Sequence, residues 1–201
     1  MGWAEVGEFF PHPMKSKLRT RLVKFVIPTC GALAIGVVGC RMLSDRGKSG
    51  KLQAMSRKVD LKRFMGTWYV IGNIPVFVEK DAYNAKESYE LAEDGTIATT
   101  FTFNKGSFDG PLKTMHPKGS VYNMETNAEW RMQFLWAVKS DYLITYLSED
   151  YQATIIGVPS RKYAWIMART KTLPGATYQE LVAELKRQGH DLSKLRKVPQ
   201  R

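Results

Sequence analysis

Phe64-Met65-Gly66-Thr67-Trp68-Tyr69 is the stretch whose reading decides the fold. A glycine two residues before a tryptophan opens an apolar run that Pro75 stops, as expected for a first β-strand over residues 66–74. Far down the chain it is answered by Tyr163-Ala164-Trp165-Ile166-Met167-Ala168-Arg169, a second apolar run closed by an arginine. Side chains alternate across a strand. If Trp68 points inward, Val70 and Gly72 are expected beside it, and Tyr163, Trp165 and Met167 share the parity of Arg169.

Between these two runs the chain is punctuated like an all-β domain. Residues 85–91, 97–103, 118–122, 129–138, 142–147 and 151–158 read as strands, and residues 162–169 as the last. Glu93-Asp94-Gly95 is a tight-turn signal between two of them. Consecutive antiparallel strands of this number can close into an up-and-down barrel. One helix follows. Thr177-Tyr178-Gln179-Glu180 fits a capping box. Tyr178, Leu181, Val182 and Leu185 form an apolar stripe, and Gly189 sits where a left-handed cap belongs.

Gly66-x-Trp68-Tyr69, the late Arg169 and the trailing helix together resemble the lipocalins. Over residues 59–198 the resemblance is to bacterial lipocalins and apolipoprotein D. It implies an all-β fold: an eight-stranded antiparallel up-and-down lipocalin barrel with a C-terminal α-helix packed outside. It also implies that Gly66, Trp68 and Arg169 form the closed-end signature. The family's middle motif, often Thr-Asp-Tyr, is here Glu149-Asp150-Tyr151, a change expected to affect only turn geometry. The same resemblance points to Phe64, Tyr89, Phe101, Phe134, Tyr142 and Trp165 as ligand-binding positions lining a cavity. Parity supports Phe101, Phe134 and Trp165 independently, and on the fifth strand Met132, Phe134 and Trp136 make one apolar face. The competing reading is a barrel filled with its own side chains.

The front of the chain reads as an address. Lys15, Lys17, Arg19, Arg21 and Lys24 precede an apolar run over residues 25–38, too short for a comfortable membrane span. The exit Val37-Val38-Gly39-Cys40 resembles the bacterial lipobox, which implies acylation of Cys40 and cleavage before it. The expected organisation is an upstream extension (1–13), a lipoprotein signal peptide (14–39), a lipidated basic tether (40–58) and the lipocalin domain (59–201). An uncleaved signal anchor is the alternative. Arg41, in place of the Asp that retains such lipoproteins in the inner membrane, implies delivery to the outer membrane.

The formal net charge is +11, of which the first forty residues supply +3. The basic residues do not cluster into a nucleic-acid recognition motif, so no nucleic-acid partner is expected. A basic tether beside a lipid anchor suits anionic head groups instead. Cys30 and Cys40 are the two cysteines, and both precede the expected domain, which must then hold itself by its core. His116 and His190 lack acid or Cys partners in sequence and are expected at the surface; no metal spacing is present. No enzyme activity, cofactor or metal is expected. The implied partners are a long-chain fatty acid or lysophospholipid and, through Cys40, the membrane, with a homodimer left open. The implied role is binding, storage or transport of such lipids in the bacterial cell envelope, in membrane maintenance under stress. An envelope interaction protein and a lipid-modifying enzyme remain the alternatives.

Overall fold

The computed structural model describes residues 50–135 and 138–201. The expected export signal, Cys40 and Trp136 lie outside them. Ten strand segments form one antiparallel sheet: β1 Gly66–Ile74, β2 Ala82–Leu91, β3 Ile97–Lys105, β4 Leu112–Met115, β5 Lys118–Val121, β6 Glu129–Leu135, β7 Val138–Leu147, β8 Ala153–Gly157, β9 Ala164–Ala168 and β10 Arg196–Lys197. Neighbours in sequence pair in order, and β1 pairs with β9 to close the sheet on itself. β4 and β5 both pair with β3 and are two halves of one strand, interrupted at Pro117, which has no N–H to give to a ladder. β10 is a short flap. The result is an eight-stranded antiparallel barrel with α2 (Gly175–Arg187) packed outside.

The two faces of the barrel wall differ. Inward residues build one apolar cluster that includes Trp68, Val70, Tyr89, Phe101, Trp130, Tyr142, Ile156 and Met167. Outward residues of β1, β8 and β9 build a second, with Ile71, Ile155 and Ile166 under Tyr178, Leu181 and Leu185 of α2. Ala153, Ala164 and Ala168 let the helix approach closely. Helix α2 starts two residues before the sequence signal. Pro174 is its N-cap and no side chain caps it, so Thr177 lies inside the helix and the expected capping box is not used. Its C-terminus is a Schellman turn: Gly189 has φ +85°, its N–H donates to Lys186 O (2.9 Å), and His190 N–H donates to Leu185 O (3.1 Å). That turn buries His190, expected at the surface, with Nδ1 3.1 Å from Arg161 O.

Four β-bulges interrupt the barrel strands, at Val70/Gly72, Tyr83/Lys86, Gln133/Leu135 and Ile144/Tyr146. The one between Val70 and Gly72 inverts the parity of β1, because one extra residue exchanges the two faces. Gly72 therefore faces out, where a Cβ would stand 3.2 Å from both Arg196 O and the Tyr178 hydroxyl, and Asn73 faces in. The expectation that Gly72 lies inside with Trp68 and Val70 is corrected accordingly. The C-terminal tail fills the seam that the bulges open: Val198 N–H donates to Ile71 O (3.0 Å), and the Gln200 amide donates to Val70 O (2.8 Å) and Ala85 O (2.9 Å). Residues 50–58, within the stretch read as tether, lie against the barrel: Leu52 N–H donates to Pro159 O (3.0 Å) and Met55 N–H to Ile144 O (2.9 Å).

Candidate functional site

At one end the barrel is sealed. Helix α1 (Leu61–Phe64), capped by the Asp60 side chain, crosses this end and delivers Phe64 into the interior. Trp68 Nε1 donates to Phe64 O (2.8 Å), and the two rings sit 5.0 Å apart. The Arg169 guanidinium lies 3.8 Å over the Trp68 ring. It also donates to the carbonyls of Thr67 (2.9 Å), Arg63 (2.8 Å), Phe64 (3.0 Å), Met65 (2.8 Å) and, more weakly, Tyr151 (3.4 Å). Those of Arg63 and Phe64 are end carbonyls of α1 with no partner inside the helix. Burial lowers the Arg169 pKa to about 10, which leaves it a cation at neutral pH. Gly66 takes φ +93°, a left-handed backbone that other residues disfavour, and a Cβ there would stand 3.3 Å from Arg169 Nη1. At the turn Glu149-Asp150-Tyr151, Tyr151 takes φ 62°, its hydroxyl accepts from Asp60 N–H (3.0 Å), and Arg63 stacks on its ring.

Above this floor the rings continue. Tyr89, Trp130 and Tyr142 pack around Phe64 and one another, Trp130 and Tyr142 stacked at 5.5 Å. Exposure then changes along a single strand. On β6, Trp130 is 0% exposed, Met132 2% and Phe134 39%. On the neighbouring wall Phe101 and Phe103 of β3 stay buried, both 3% exposed, so the change is confined to β6. At the far end the β1–β2 connection and the β3–β4 turn form the rim. Lys105 and Lys113 pair with the inward residues Ala82 and Phe103 at that rim and are exposed.

Two carboxyl groups stand inside. Glu87, paired with Trp68 on one side and Phe101 on the other, faces in. Its Oε2 accepts from the Tyr89 hydroxyl and from the Tyr142 hydroxyl (3.2 Å), and the two hydroxyls also touch. Glu87 keeps some accessible surface although protein surrounds it, as a side chain facing an enclosed space does. Burial, with the nearby Glu79, pushes its carboxyl up to about 8, and the hydrogen bond from Tyr142 pulls the other way. Glu79 comes from the 3₁₀ turn Phe77–Glu79 of the β1–β2 connection. Its Oε2 accepts from Trp165 Nε1 (2.8 Å) and the Asn73 amide (3.1 Å). Burial raises its carboxyl to about 7 against those two hydrogen bonds. Burial and the charge of Glu87 raise the Tyr142 phenol well above its ordinary value. Among the described residues no Lys, Arg or His contacts either carboxyl.

The sequence-named residues thus fall into two groups. Phe64, Tyr89 and Tyr142 meet at the foot of the cup, with Phe101 on the adjacent wall. Trp165 and Phe134 stand higher, Trp165 bound to Glu79. Glu79, Glu87 and Asn73 were not singled out from the sequence. Glu87 was within reach, since it shares the parity of Tyr89. Asn73 and Glu79 were not, because a bulge turns one inward and a loop carries the other.

A family model described as a lipocalin-like domain matches residues 59–200. The chain is a lipocalin. It is 33% identical over 154 residues to temperature-induced lipocalin-1 of Arabidopsis thaliana, covering 71% of this chain and 80% of that one. It is 29% identical over 137 residues to the outer membrane lipoprotein Blc of Escherichia coli K12, covering 67% and 76%. Apolipoprotein D of Macaca fascicularis is 28% identical over 145 residues, covering 68% and 74%. Among solved structures, the cockroach allergen Per a 4 superposes with a TM-score of 0.56 at 22% identity, covering 76% of this lipocalin and 96% of that chain. Insecticyanin of Manduca sexta gives 0.57 at 19% identity, covering 73% and 83%. Lipocalins in general bind hydrophobic small molecules.

Proposed function

We propose that this lipocalin holds a single-chain lipid, a long-chain fatty acid or a lysophospholipid, and stores or moves it in the bacterial envelope without transforming it. Two observations support this reading: Trp130 and Met132 of β6 are buried near the floor while Phe134, toward the rim, is 39% exposed, and the inward Glu87 keeps accessible surface. Each buried CH₂ contributes roughly 0.8 kcal/mol, so a chain of about a dozen carbons offsets the ordering cost of binding. The phosphate of a lysophospholipid would then sit at the rim, near Lys105 and Lys113. Phe64, Tyr89, Phe101, Phe134, Tyr142 and Trp165 are the proposed lining.

Acylation of Cys40 would hold the protein at the outer membrane, a placement supported by the Val-Val-Gly-Cys exit and by likeness to a protein named an outer membrane lipoprotein. One acyl chain anchors marginally, and a second makes anchoring durable. Native mass spectrometry of the purified protein tests the binding: co-purified lipid is expected, and failure of every long-chain lipid to bind saturably would end the proposal. Labelled palmitate is expected to enter the wild type; its continued incorporation into Cys40→Ser would refute the anchor.

A further inference from the structure

The floor of the cup is electrically complete, with one guanidinium answered by carbonyls. The space above it is not. Glu87 and Glu79 both reach into it, and no Lys, Arg or His among the described residues balances either. A buried hydroxyl lies beside them. Thr99 is 3% exposed and stands on the inward face of β3, directly across from Tyr89; its hydroxyl has no hydrogen-bond partner. Buried hydroxyls are rarely left unpaired, and one across from Tyr89 on the inward wall points to a group that arrives from outside. Only Oε2 of Glu87 is engaged by protein among the described residues, which leaves its second oxygen to accept. The foot of the cup therefore offers acceptors and a hydroxyl above the packed rings of Tyr89, Trp130 and Tyr142. Carboxyl groups beside a hydroxyl suit a cation that also donates hydrogen bonds.

We propose that Glu87, Tyr89, Tyr142 and Thr99, with Glu79 above them, form a head-group site for amphiphiles that carry a primary ammonium group, entering head first. The proposal rests on the reading of the cup as a lipid site and narrows it. An ammonium donates three hydrogen bonds, which Glu87 and the Thr99 hydroxyl can accept, and its chain lies along Phe101, Trp165 and Phe134 toward the rim. A carboxylate in the same place would meet two acids and enters only with a proton. A primary alcohol fits without either benefit or penalty. The titratable groups facing the head group are Glu79, Glu87, Tyr89 and Tyr142; Lys105 and Lys113 stand at the rim. When an ammonium binds, a protonated Glu87 gives up its proton to solvent and the carboxylate pairs with the cation, so charge and protons balance.

Three chain-matched probes separate this from the broader reading: dodecylammonium, dodecanol and dodecanoate, titrated into the full-length protein at pH 7.5 by calorimetry. Dodecylammonium is expected to bind roughly tenfold tighter than dodecanol, the scale of a hydrogen bond to a charged group, and dodecanoate more weakly than dodecanol. In buffers of different ionisation enthalpy, dodecylammonium should release protons and dodecanol none. Glu87→Gln should remove the ammonium advantage, bringing dodecylammonium and dodecanol to within about twofold of each other. The proton release is measured on the wild type and does not depend on that variant folding. Dodecanol binding as tightly as dodecylammonium, without proton release, overturns the head-group site and leaves the lipid cup standing. Dodecanoate binding tightest also overturns it. Binding of none of the three fails the cup itself, and this site with it.

Discussion

The floor and the upper cup of the barrel are built from the same kinds of residue and are finished differently. At the floor, Trp68 is fully buried, its indole N–H is bonded, and Arg169 spends its donors on five backbone carbonyls. Above it, aromatic rings again surround polar groups, but these are acids held by phenols, an indole and an amide, with no cation against them among the described residues. A polar network that is fully satisfied stabilises a fold, whereas one that is incomplete is costly until something completes it. The floor is therefore read as structure and the upper cup as a binding site.

The largest effect should come from Trp68→Ala. Removing a fully buried aromatic costs about 3–5 kcal/mol, and denaturant unfolding should show that loss or no folded protein at all. The next largest separates the two regions by pH. Glu79 and Glu87 have folded-state values of about 7 and 8, above the ordinary 4.5. Between pH 4.5 and 8 the folded state then holds more protons than the unfolded one, so their contribution to stability is full below 4.5 and declines as pH rises. Burial depresses the His190 pKa, which works in the opposite direction as pH falls through 6.5. The check is therefore the difference between wild type and the Glu79→Gln/Glu87→Gln double variant, whose stability should vary less across this range.

A smaller change is expected for Arg169→Ala, which orphans the carbonyls at the floor and should cost about 2–3 kcal/mol. Lipid affinity should change less than stability. An unchanged melting midpoint with abolished binding would move Arg169 from the floor to the binding site. The smallest test lies within one strand. Phe134→Ala, at a position 39% exposed, should cost only about 1 kcal/mol but weaken lipid binding several-fold. Trp130→Ala, four residues away and fully buried, should behave like a core truncation. Equal costs at the two positions would erase the distinction between floor and cup.

Much of the barrel could be read from the chain because its strands alternate and its turns carry Gly, Asp and Pro. The exceptions share a cause. Leu112–Met115 has an exposed pattern with no apolar alternation and was missed; the tertiary fold pairs it with β3 regardless. The start of β7 at Val138–Asp141 was missed because the strands were divided by hydropathy, while the register places the hairpin at Leu135–Val138. The capping-box signal at Thr177 lost to an earlier start at Gly175, and His190 was carried inward by the turn that ends α2. In the candidate site, Phe101, Phe134 and Trp165 were legible through parity. Glu87 was legible in the same way, but a charged residue in a strand reads as solvent-facing.

By itself the sequence determined the barrel and its floor. Gly66, Trp68 and Arg169 are specified by residue type: a left-handed glycine, a ring large enough to plug the end, and a planar cation able to satisfy several carbonyls at once. Only the tertiary structure decided the chemistry of the cup. A strand's faces follow a period of two, and a single extra residue at the bulge of β1 exchanged Gly72 for Asn73 on the inside. A loop then brought Glu79 to Asn73 and Trp165, and the closure of β2 against β3 and β7 across the barrel brought Glu87 to Tyr142. Whether a carboxyl is an ordinary surface acid or a buried, raised one depends on neighbours distant in sequence, and the fold alone assembles them.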